Sequence, residues 1–170
     1  MHLGPPHAYA TLSIILPDDT DPEAVTAALH ITPSSVRRRG TPLSKPSGRG
    51  KPRHETALTS FWCLSSSGAG LSNEAQEHVD WLLTQLVGRE DTIRDLVAMG
   101  YSVGVWHHWF AEHGTPTIRD ETSRRLDELG MTLDLQRSPR MVRSRSREEV
   151  HGGIVISSWW RSRSREARAA

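Results

Sequence analysis

Three histidines and an acid fall within a short stretch: His107, His108, Glu112 and His113. Imidazole and carboxylate groups are zinc ligands, but a closed zinc site needs four convergent donors. On an extended strand His107 and His108 point to opposite faces. At most one of them can therefore share a site with His113, and Cys63 is a remote fourth donor. The spacing favours histidines of a sheet and a loop over a metal centre. Cys63, the single cysteine, is a candidate nucleophile with a histidine base. It stands between Trp62 and Leu64 in an apolar run, however, where a thiol is usually a small buried hydrophobe. There is no serine elbow, no phosphate-cradling glycine loop leading into a helix, and no H-E-x-x-H pair. Gly48-Arg49-Gly50-Lys51 has the composition of an anion-binding loop without the strand and helix that would aim its amides. An enzyme is disfavoured, and no cofactor is expected.

Charge is the stronger signal. The 170 residues carry 21 Lys+Arg and 20 Asp+Glu, a net charge of +1 that conceals a division. Residues 37–53 hold Arg37, Arg38, Arg39, Lys45, Arg49, Lys51 and Arg53 with no acid, a charge of +7. Residues 137–170 hold nine arginines against Glu148, Glu149 and Glu166, a charge of +6. The remainder carries −12. The sequence thus describes an acidic body with two basic appendages. One cysteine excludes an intrachain disulfide framework. The first residues lack a basic and apolar leader, and no apolar run is long enough to span a bilayer, so a cytoplasmic protein is expected.

The elements that position these groups follow from periodicity and punctuation. Residues 8–16 (AYATLSIIL) are apolar and β-branched and read as a buried strand. Asp21-Pro22-Glu23 is a helix start, and helix 22–29 is expected to bury Val25, Ala28 and Leu29. A second extended segment covers 34–38. Residues 40–55 form a Gly/Pro/basic loop. Strand 60–66 places Trp62 and Leu64 on one face and Phe61 and Cys63 on the other.

Ser72 or Asn73 caps a helix over 74–87, whose Ala75, Val79, Leu82, Leu83 and Leu86 fall on one stripe. Trp81 lies about 200° around from Val79, off that stripe. A further helix over 91–99 stops at Gly100. Residues 101–110 read as a strand with Val103, Val105, His107 and Trp109 on one face. Thr117 and Asp120 approximate a capping box for a helix with a stripe of Ile118, Thr122, Leu126 and Leu129. Residues 131–136 are the last core strand.

Two stretches, 8–38 and 101–136, share a strand–helix–strand plan. The expected fold class is α+β: a mainly antiparallel sheet with helices on one face, in a ferredoxin-like split βαβ arrangement. The expected organisation is a flexible 1–7, one domain over 8–136 with the basic loop, and an Arg/Ser-rich, largely disordered tail over 137–170. That tail repeats the hexamer RSRSRE at 143–148 and 161–166.

The segments YATLSI, DPEAVTAAL, FWCLSS, EHVDWLLTQL, GYSVGVWHHW and GTPTIRDETSRRLDELGMTLDL, in this order and spacing, carry a resemblance. The chain resembles the domain of unknown function 4279 family of small bacterial proteins over about residues 9–135. Such families often place a Trp and a Lys in the turn after the first helix, where this chain has Ser-Ser-Val-Arg-Arg-Arg. The resemblance implies a fold and no activity.

The leading functional expectation is a non-enzymatic protein-binding module, for example an immunity-like protein that neutralises a basic partner. Trp81, Glu74, Glu77, Asp80 and Asp127 are its candidate contact residues. The alternative is a nucleic-acid-binding accessory protein. It would use Arg37, Arg38, Arg39, Arg49 and Lys51, with Arg143, Arg145, Arg147, Arg161, Arg163 and Arg165 of the tail.

Overall fold

A strand buried on both faces needs neighbours on both edges, and the run at the start of the chain takes the middle of the sheet. In the computed structural model, which describes residues 8–17, 19–42, 56–110 and 115–138, β1 (Ala8–Ile15) is the central strand of five. The others are β2 (Ser35–Arg37), β3 (Phe61–Ser65), β4 (Ser102–Phe110) and β5 (Thr132–Ser138), in the order β2-β3-β1-β4-β5. All of them lie in the compact unit Met1–Arg140. The N-terminal segment 1–7, the loop residues 43–55, Glu112, His113 and the tail from 139 onward lie outside the described residues.

The sheet is mixed and mostly antiparallel. β1 pairs antiparallel with β3 and with β4, and β2 pairs antiparallel with β3. β5 departs from this by running parallel to β4. That parallel pair is closed by a helix, the connection parallel neighbours require. The two strand–helix–strand stretches are therefore alike along the chain but not in space. β4 and β5 are adjacent, whereas β1 and β2 are separated by β3.

Four helices cover one face: α1 (Pro22–Leu29), α2 (Ala75–Gln85), α3 (Glu90–Ala98) and α4 (Asp120–Glu128). One core joins Ala10, Leu12 and Ile14 of β1, Trp62 and Leu64 of β3 and Val103 and Val105 of β4 to apolar residues of all four helices. These strand positions share a face, as the alternation and the pairing register require.

Local signals place the helix ends with small shifts. Asp21 accepts the Glu23 N–H and caps α1, which buries Pro22, Val25 and Leu29 and leaves Ala28 exposed, contrary to expectation. An eight-residue helix presents little more than one stripe, and Pro22, Val25 and Leu29 fill it. α4 begins at Asp120 with Arg119 as its N-cap, two residues after the expected cap Thr117. No side chain of its own caps it. The cap comes across the helix layer: Gln76 of α2 accepts the Arg119 N–H at 2.7 Å and donates to Thr122 at 2.8 Å.

α2 begins at Ala75 with Glu74 as its N-cap, so neither Ser72 nor Asn73 takes the expected capping position. Ser72 instead orders the turn before the helix. Its hydroxyl accepts the Glu74 N–H and donates to Glu77 Oε2 at 2.7 Å, while its N–H also donates to Glu77. The expected stripe of Ala75, Val79, Leu82, Leu83 and Leu86 is buried.

Candidate functional site

Polar side chains are buried where α2 crosses β1 and β4. His78 stands three residues after Ala75 and four before Leu82, on the inward stripe of α2, and is 1% exposed. Its Nε2 lies 2.8 Å from the Ser72 carbonyl oxygen. That oxygen only accepts, so Nε2 carries the proton and Nδ1 presents a lone pair. The Ser66 hydroxyl, 2.8 Å from Nδ1, donates to it. Ser66 Oγ receives the Ala10 N–H at 2.9 Å, and the Ser66 N–H closes the ring on the Ala10 carbonyl at 2.9 Å. This serine–histidine pair has the composition of a nucleophile and its base, but Ser66 is itself 1% exposed and its oxygen serves β1. The arrangement joins α2 to the sheet.

His107 faces the same layer from β4, between Val105 and Trp109, in register with Ala10 of β1 and Leu135 of β5. It is 0% exposed, and its ring centroid lies 6.0 Å from that of His78. Neither of its nitrogens has a hydrogen-bond partner among the described residues. Burial, with His78 and then His108 adding to it, pushes its pKa down to about 4. His78 is lowered as well, chiefly by burial. Both rings are therefore neutral at pH 7.

His107 and His108 do point to opposite faces, as strand geometry requires. On the face away from the helices His108 stacks on Tyr9 at 4.7 Å between ring centroids. Burial lowers His108, with Asp134 acting in the opposite sense, and raises Tyr9. Cys63 lies on that face too, its Sγ 3.7 Å from Ser13 Oγ. At 4% exposure its thiol is pushed up to about 11 by burial, which leaves almost no thiolate at neutral pH. No group of three or more His, Cys, Asp or Glu side chains is placed to hold a metal among the described residues.

The candidate contact residues divide. Glu74 and Glu77 are exposed at the start of α2, and Asp127 is exposed on α4. Ser72 lowers the Glu77 carboxyl by its hydrogen bonds. Asp80 is half-buried, pairs with Arg119 at 2.7 Å and accepts from Gln76, so it joins α2 to α4. Trp81 is half-buried and packs against the core.

Of the basic residues, Arg37 lies over the Phe61 ring at 5.2 Å, and Arg38 pairs with Asp21 at 2.9 Å. Arg39 donates its backbone N–H to Ser60. Arg49, Lys51 and the tail arginines Arg143, Arg145, Arg147, Arg161, Arg163 and Arg165 lie outside the described residues.

Sequence reasoning missed His78, Ser66 and Gln76. His78 was legible from helical spacing, since Ala75 and Leu82 bracket it on the stripe. Ser66 and Gln76 left no such signal, because their partners are 56 and 43 residues away in sequence. None of the helices is long and apolar enough to cross a membrane among the described residues.

No curated protein and no solved structure matches the chain. The model of a domain of unknown function, DUF4279, matches residues 6–139, the span that holds every element of this sheet and its helices, and the chain belongs to that family.

Proposed function

We propose that this domain is a non-enzymatic protein-binding module whose acidic helix layer receives a basic partner surface, in the manner of a neutralising or immunity protein. The carrying observation is that all four helices pack on one face of the sheet and each bears more acid than base. α1 has Glu23, and α2 has Glu77 and Asp80. α3 sets Glu90, Asp91 and Asp95 against Arg94. α4 sets Asp120, Glu121, Asp127 and Glu128 against Arg124 and Arg125. Gathered on one side, such charge steers a basic partner and repels nucleic acid. Glu74, Glu77 and Asp127 are the exposed members to alter first. Trp81, half-buried on α2, supplies apolar contact.

The strand order β2-β3-β1-β4 of the first four strands supports reading the scaffold as a ferredoxin-like split βαβ unit, with α4 and β5 added at one edge. The binding reading is tested by pull-down from cell lysate at low and high salt. The wild-type chain is compared with one carrying Glu74→Lys, Glu77→Lys and Asp127→Lys. A basic protein retained by the wild type, released by salt and lost on charge reversal supports the reading. Recovery of no protein, or recovery indifferent to charge reversal, overturns it.

A further inference from the structure

A buried imidazole with no partner is expensive, because a neutral ring always carries one N–H and one lone pair to satisfy. Packing alone would be served at position 107 by an aliphatic side chain, as Val103 and Val105 serve on the same face of β4. Instead His107 faces His78 across the seam between β4 and α2, and the two respond differently to a proton. His78 can take one on Nδ1, because the Ser66 hydroxyl can turn from that nitrogen to the Ala10 carbonyl oxygen, 3.2 Å away. His107 has no such acceptor among the described residues.

The surroundings offer an added charge little compensation. β1 and β5 set Ala10 and Leu135 in register with His107. His108, next along β4, belongs to the opposite face, where Asp134 is the acid that acts on it. On α2, Glu77 beside His78 is exposed and bonded to Ser72. The Asp80–Arg119 pair linking α2 to α4 is solvent-accessible at both ends.

We infer that the His78–His107 contact is a proton-sensitive latch. Neutral, it holds α2 against β1 and β4; charged, it loosens α2 from the sheet. The depression of both imidazoles by burial accords with this and sets the response on the acid side of neutrality. The latch is independent of the binding reading above, since its readout involves no partner.

The test is amide hydrogen exchange across α2 in the full chain at pH 7 and pH 5, corrected for intrinsic exchange, for the wild type and His107→Leu. An imidazole held near 4 when closed and near its ordinary value of about 6.5 when open raises the opening equilibrium roughly twentyfold over that interval. The wild type should show that increase and His107→Leu should not. Should His107→Leu fail to fold, imidazole and amide NMR titration of the wild type decides. A His107 ring that charges below pH 5 together with deprotection of α2 supports the latch. Equal acid responses in the two proteins, or a ring that charges without any change in α2, overturns it.

Discussion

Ser66 shows how much one small polar side chain holds. It receives the Ala10 N–H, donates to His78 and returns its own N–H to the Ala10 carbonyl, tying the end of β3 to β1 and α2. Ser66→Ala should lower stability by about 2 kcal/mol, because it strands a buried N–H and a buried ring nitrogen. The urea midpoint should fall with the slope unchanged. His107 makes stability depend on pH. Its folded pKa of about 4 lies below the ordinary value of about 6.5, so between those values the unfolded chain holds more protons and stability rises with pH. The contribution is complete above about 6.5, and roughly 3 kcal/mol of it is gone at pH 4. Urea titrations at pH 7.5 and pH 5 should show a midpoint that drops in acid, and drops less in His107→Leu. Cys63, buried and with its thiol pushed up, should alkylate with iodoacetamide far more slowly in the native protein than in urea.

Among the elements, α4 and β5 depend most on partners distant in sequence. The cap of α4 belongs to Gln76 of α2, so Gln76→Ala should cost about 1–2 kcal/mol and increase exchange in the first turn of α4 first. Gly130 ends α4 at φ 71°, and a Cβ there would meet Val97 of α3 at 3.1 Å. Gly130→Ala combines left-handed strain with a close contact and should destabilise by about 1–2 kcal/mol, read as a lower urea midpoint. At the parallel seam Gly104 of β4 approaches Thr132 of β5 so closely that a side chain there would displace the Thr132 hydroxyl. A parallel pair at that edge was not legible in the sequence. Strand patterns do not encode direction; the connection and the space available for it do.

For the whole molecule, the net charge of +1 is a balance between a helix layer rich in acid and basic segments elsewhere. Residues 141–170 hold seven arginines against three glutamates, so a chain ending at Arg140 carries a net charge of −3. At pH 7.5 and low salt that shortened chain should bind an anion exchanger that the full chain passes through. Ending the chain instead at Gln136 would cut into β5, which runs to Ser138. The elements themselves were readable because each is written locally. The apolar, β-branched run of β1, the Asp21-Pro22 start of α1, the α2 stripe and the stop at Gly100 all act within a few residues. Family membership was readable from their order. Tertiary structure alone decided that β5 pairs parallel with β4 at the edge of the sheet, that Gln76 caps α4, and that His107 meets His78 beneath α2. Those outcomes turn on which distant surfaces can be buried together with their polar groups satisfied or left unpaired, and local spacing carries no record of that.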